Sequence, residues 1–245
     1  MIKLFIISSI LILTAGCVRG LVASPPHFHD ASLDELVARY QKQQEAVAPL
    51  VGLMEVTVRD KVKNRFFAKW SSDPSVIKIK GFDPIGGTLF DLSLSESDVF
   101  FESADSRNDF QGSRAKFSEY LSEQSSLGIR PEWLSLFDWI ARGGLPNFAT
   151  LPPVALEKDY TGFILYFFKQ EATKNILTHK VWIDRATFRV QDVIFFDASG
   201  KQSASLLFGD YRFVNGILYP FYVKGYSDGK HHIEIVFKEL KAVKK

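Results

Sequence analysis

The sequence predicts a mainly β (α+β) domain built on one large curved antiparallel sheet of about eleven strands. Three observations lead there. Apolar and polar residues alternate with a period of two through most of the chain, and short turn segments separate the runs, as antiparallel neighbours require. Helical periodicity is confined to three short stretches. No motif repeats at a period of roughly 20 to 50 residues, so neither a solenoid nor a propeller is expected.

Residues Met1 to Gly16 hold one early cation, Lys3, then the apolar run Leu4 to Leu13, then small residues up to Cys17. The run is shorter than the ~20 residues that a mature membrane-spanning helix needs, and it reads as a secretory signal peptide over residues 1–16. Thr14-Ala15-Gly16-Cys17 resembles a bacterial lipobox, with threonine where leucine is more usual. In lipoproteins of that type the Cys17 sulfur receives a diacylglycerol, and cleavage leaves Cys17 as the new N-terminus. Two or more acyl chains give lasting membrane attachment where one is marginal. Val18 and Arg19 follow, without the aspartate that would favour the inner membrane in such sorting systems, so the periplasmic face of the outer membrane is the expected address. Cys17 is the only cysteine; no intramolecular disulfide can form, and the fold must rest on its core.

Val18 to Asp30 has two prolines and no apolar period, which predicts a tether over residues 17–31 ahead of a domain at 32–245. Ser32 opens a helix with Glu35 completing a capping box, and Pro49 ends it. Strands follow at Gly52 to Arg59, Asn64 to Trp70, Val76 to Lys80, Thr88 to Leu94 and Val99 to Glu102. A short helix is predicted from Arg114 to Ser122 and a second, started by Pro131, from Glu132 to Arg142. Trp133, Leu134, Phe137, Trp139 and Ile140 make the second helix apolar around most of its circumference, so it must be covered on more than one side. Thr150 to Tyr160 reads as a loop. Six further strands complete the chain: Phe163 to Phe168, Thr178 to Ile183, Phe188 to Phe196, Ser203 to Phe213, Ile217 to Tyr226 and His231 to Leu240. Asn215-Gly216 signals a type I′ hairpin.

Asp83-Pro84-Ile85-Gly86-Gly87 is unusual among these turns. Pro84 fixes its own φ and the glycines accept positive φ, which sets an aliphatic side chain at the tip of a tight connection. Ile85 either folds back as a plug on the end of the sheet or projects to meet lipid or a partner.

Little in the chain points to catalysis. There is no G-x-S-x-G elbow, no H-E-x-x-H helix and no phosphate-cradling glycine loop, and Asp184, Asp197 and Asp228 sit in turns where backbone donors account for them. His27 and His29, beside Asp30, lack a third fixed ligand, so no metal is expected. A net charge of +2 argues against nucleic acid as a partner. The closing Lys238, Lys241, Lys244 and Lys245 are accounted for as a solvated run, with anionic lipid heads the alternative.

Arg65-Phe66-Phe67, then Asp83 to Leu89, then Leu134 to Ile140 with Trp139, then Gly144-Leu145-Pro146 fall in the order and at the spacing of the LolB family of outer-membrane lipoproteins, within the LolA/LolB-like superfamily. The chain resembles that family from Ser32 to roughly Pro152. The resemblance implies an incomplete β-barrel with helices forming a lid over an apolar cavity. It also implies a monomer that uses no cofactor, takes lipoproteins from a soluble periplasmic carrier, holds their acyl chains and releases them into the membrane. The family's loop at Pro84, Ile85 and Gly86 carries an exposed apolar residue for membrane insertion, which favours the projecting reading of Ile85. Phe66, Phe90, Phe100, Trp133, Phe137, Trp139, Phe163, Phe167 and Phe195 are the candidate cavity lining; burial in a closed core accounts for any one of them equally well. The C-terminal third, with Ile183-Asp184, Asp210-Tyr211 and Tyr219-Pro220, is more like carriers and other lipoproteins of the superfamily. Another hydrophobic cargo and a closed-core structural role therefore stay open.

Overall fold

The described residues form thirteen strands, most of them where period-two alternation predicts, and a capping box opens the helix that precedes them. The computed structural model describes residues 28–59, 63–73, 75–105, 108–123, 132–148, 151–171, 174–227 and 231–243. The expected signal peptide, Cys17, the tether as far as His27, Pro131, the turn at Asp228 and Lys244 with Lys245 lie outside those residues. Helix α1 (Leu33–Glu45) starts where the Ser32 hydroxyl accepts from the Glu35 amide at 3.2 Å while the Glu35 carboxylate accepts from the Ser32 amide at 2.7 Å. Its Leu36 and Tyr40 are buried, and the Tyr40 hydroxyl donates to the Phe188 carbonyl at 2.9 Å, which ties the helix to the C-terminal strands.

Strands β1 (Leu50–Arg59), β2 (Lys63–Ser72), β3 (Val76–Phe82), β4 (Thr88–Ser95), β5 (Asp98–Ser103) and β6 (Phe110–Ser113) form one antiparallel meander. Helices α2 (Arg114–Glu123) and α3 (Glu132–Ala141) follow. A second meander runs through β7 (Ala155–Lys158), β8 (Gly162–Glu171), β9 (Lys174–Asp184), β10 (Val190–Phe196), β11 (Gln202–Val214), β12 (Ile217–Ser227) and β13 (His231–Ala242). The two meanders become one sheet where β1 pairs with β13, from Leu50 opposite Ala242 to Arg59 opposite His232. The order β6-β5-β4-β3-β2-β1-β13-β12-β11-β10-β9-β8-β7 leaves β6 and β7 as edges that do not pair with each other, so the barrel is incomplete. The expected eleven strands become thirteen because β6 and β7 have four residues each, too few for alternation to register; β7 lies inside the segment read as a loop.

Helix α3 lies over the inner face and touches both β3 and β12. Trp133, Leu134, Leu136, Phe137, Trp139 and Ile140 are all buried, as an apolar circumference demands. It ends at Gly143 and Gly144, both with positive φ, whose amides donate to the Ile140 and Trp139 carbonyls at 3.0 and 2.8 Å. The Asn215-Gly216 turn has positive φ at both residues, 51° and 81°, as a type I′ hairpin requires. No described helix is long and apolar enough to cross a membrane.

Candidate functional site

The β3–β4 tip is a rigid device. Asp83 Oδ1 accepts from the Ile85 amide at 2.9 Å and from the Gly87 amide at 2.8 Å, and the Asp83 amide donates to the Gly87 carbonyl at 2.8 Å. Gly86 takes φ +95°, which lets the chain reverse directly after Ile85. Ile85 is 95% exposed, so the plug reading is overturned: none of the described residues covers it. Pro84, Gly86, Gly87 and Thr88 are exposed beside it, and Leu89 is 38% exposed.

Beneath α3, towards β1–β4, lies an apolar gap of about 20 Å³. Met54, Val56 and Val58 of β1, Ile79 of β3 and Leu92 of β4 line it from the sheet, joined by Phe66, Phe90 and Ile233. Trp133 and Phe137 of α3 complete the lining. Phe66 and Phe90 meet edge to face at 5.6 Å, and neither is fully buried. The Phe90 ring lies over Gly81, where a Cβ would come within 2.4 Å of a ring carbon. Trp133 and Trp70 each have a buried indole N–H with no acceptor among the described residues, and Trp70 stands 6.3 Å from Phe137.

Four of the expected lining residues, Phe66, Phe90, Trp133 and Phe137, therefore meet at one gap. Trp139, Phe167 and Phe195 do not join them. They pack with His179 and Phe208 on the other side of α3, where the Phe167 ring stacks on His179 at 4.2 Å and Trp139 lies 6.0, 6.3 and 6.1 Å from His179, Phe195 and Phe208. Phe163, fully buried, stacks on Phe188 at 5.9 Å near α1. Phe100 is a correction: it lies on the outer face of β5 with Asp98 and Glu102 and is 42% exposed, while Phe101 takes the inward position. Alternation assigns two adjacent phenylalanines to opposite faces, and only one of them can point inward.

Burial alone pushes the His179 imidazole down to about 4, so it is neutral at physiological pH, with the Thr178 hydroxyl 3.1 Å from its Nδ1. Asp184 and Asp197 serve their turns as expected: each accepts backbone amides, from Thr187 at 2.6 Å and from Ser199 at 2.8 Å. Among the described residues no group of three or more His, Cys, Asp or Glu is placed to hold a metal. Sequence reading missed the pair that fastens α3 to the start of α2: Arg114 donates to both Asp138 oxygens, at 2.6 and 2.9 Å. No spacing rule links two residues on different helices, so nothing in the sequence signalled it.

An open antiparallel sheet whose apolar inner face is covered by a helix defines the class, a lidded incomplete barrel. The same architecture is found in a LolA superfamily protein of Nitrosomonas europaea (NE2245; TM-score 0.58, 10% identity, 88% of this chain and 96% of that one). A putative outer membrane lipoprotein-sorting protein domain from Vibrio parahaemolyticus matches similarly (TM-score 0.58, 13% identity, 86% and 91% coverage). So does a DUF1329 family protein from Desulfovibrio piger (TM-score 0.56, 12% identity, 86% and 91% coverage). At these identities the likeness is one of fold. No sequence-family profile matches the chain, and no curated protein matches it in sequence.

Proposed function

We propose that this chain is an envelope lipoprotein, anchored through Cys17, that binds acyl chains beneath α3 and passes lipoproteins received from a soluble periplasmic carrier into the outer membrane. The observation that carries the reading is the wholly apolar gap under a helix that is apolar nearly all round.

At about 20 Å³ the gap has room for about one water molecule, so entry of a chain requires α3 to lift. The driving force is sufficient: about 0.8 kcal/mol per methylene gives on the order of 12 kcal/mol for a chain of some 15 methylenes. A bilayer offers a similar gain, so delivery needs only a hold somewhat weaker than the membrane's. Ile85, fully projected, is the side chain that would enter the lipid surface first. The Vibrio neighbour's description as a lipoprotein-sorting domain supports this reading.

The test is transfer of a labelled lipoprotein from its carrier to the processed chain lacking Cys17. A stoichiometric complex supports the receptor role. Lack of transfer together with uptake of free fatty acid indicates a different hydrophobic cargo. The small size of the gap favours one further reading, a closed structural core, which absence of any lipid uptake would select.

A further inference from the structure

Strands β3 and β4 run from the Ile85 tip to a second feature at their opposite end. There a cleft of about 820 Å³ opens between the end of α1, the β2–β3 and β4–β5 turns and the last turn of α3. That is the size of a small-molecule site. Its apolar part includes Ile77 and Leu94, which lie next to Ile79 and Leu92 on the same inward rows that line the gap under Phe137. Cleft and gap are thus successive segments of one inner surface, spanned by successive turns of α3.

Two guanidinium groups also line the cleft. Arg114 is fully engaged by Asp138 and by the Ser95 carbonyl, which its Nε meets at 2.6 Å. Arg142 is not. Asp138, one helical turn before it, is taken by Arg114, and the sole acceptor of Arg142 among the described residues is the Leu145 carbonyl, met by Nε at 3.4 Å. Burial above all, and Arg114 nearby, hold this guanidinium below its ordinary value, with Asp138 opposing. A desolvated planar fork whose remaining donors meet no acceptor among the described residues is suited to a carboxylate or phosphate oxygen pair. Three carboxylates line the cleft: Asp138, already held by Arg114; Asp73, whose Oδ1 accepts from the Ser75 and Val76 amides and the Ser75 hydroxyl; and Glu96, exposed at the rim. They disfavour a polyanion and leave a single oxyanion as the better fit.

We propose that this cleft is the headgroup subsite for an acidic amphiphile, whose one carboxylate or phosphodiester pairs with Arg142 while its chain runs over Ile77 and Leu94 towards the gap beneath α3. The proposal rests on the hydrophobic-ligand reading above and adds the class of ligand.

The experiment measures binding of pyrene-labelled palmitate and of its methyl ester to the full-length protein and to Arg142→Gln and Arg142→Lys. Loss of one charge-assisted pair is worth about tenfold in affinity, so the acid should bind the unmodified protein about tenfold more tightly than the ester. Arg142→Gln should remove that preference without changing ester affinity, and Arg142→Lys should keep part of it. An unchanged near-ultraviolet circular dichroism spectrum checks that each variant is folded. Phosphatidylglycerol should displace the acid at concentrations where inorganic phosphate does not; equal displacement by both would mean a free-anion site and overturn the proposal. Equal binding of acid and ester overturns it too, and leaves the hydrophobic-ligand reading standing. Binding of neither removes both.

Discussion

On the β8–β11 side of α3, Trp139, Phe167, His179, Phe195 and Phe208 interlock with ring centres 4.2 to 6.3 Å apart, whereas on the β1–β4 side aliphatic rows and two partly exposed phenylalanines leave a gap. The same helix supplies both sides, Trp139 to one and Trp133 with Phe137 to the other. Rings packed at contact distance lose dispersion energy when moved even slightly, while a surface already short of neighbours loses less. For the proposed lift of α3, the filled side is the expected hinge and the open side the edge expected to part. Bidentate pairing of Arg114 with Asp138 resists that lift without preventing it, because both side chains keep partial contact with solvent.

The sharpest way to break the contrast is on the filled side. Trp139→Ala should cost about 3–5 kcal/mol, read as a lowered urea midpoint, because it empties the centre of the aromatic group. A cost below about 1 kcal/mol would mean that the two sides do not differ.

Acid should act on the same side. His179 is depressed to about 4 when folded, from an ordinary value of 6.5, so the unfolded chain binds the proton first as pH falls. Its contribution is complete above about pH 6.5 and is lost progressively towards pH 4, on the order of 3 kcal/mol in all. His179→Phe should flatten the stability profile in that window relative to the unmodified protein; an unchanged slope would remove His179 as its source.

On the open side Gly81→Ala forces the Phe90 ring off its seat, because the new Cβ would overlap it. The expected cost is about 1–3 kcal/mol, together with altered acyl-chain affinity measured by fluorescent-lipid titration. Stability loss with unchanged affinity would separate Phe90 from the binding surface. The smallest effect on stability belongs to Ile85→Glu, within about 0.5 kcal/mol, since the residue is almost wholly exposed. Cargo uptake should persist while release into vesicles falls; a variant that releases normally would detach the tip from membrane contact.

Features governed by near neighbours in the chain were legible before any tertiary structure. The Ser32–Glu35 capping box, the Asp184 and Asp197 turns, the Asn215-Gly216 hairpin and the helix at Glu132 all form as their residues predict. Each depends on bonds or sterics spanning a few residues, which the order of side chains specifies directly. Tertiary structure alone decided the rest. Pairing of β1 with β13 joins the two meanders and creates the inner face, and β6 and β7 exist because longer strands beside them supply partners. Parity between Phe100 and Phe101, the sorting of nine aromatic residues into gap, filled cluster, outer surface and, for Phe163, the contact with Phe188 near α1, and the meeting of Arg114, Asp138 and Arg142 at one cleft follow from how the sheet curves beneath α3. Alternation specifies that two faces exist; which face is enclosed depends on what folds over it, and that energy comes from contacts between residues far apart in the chain.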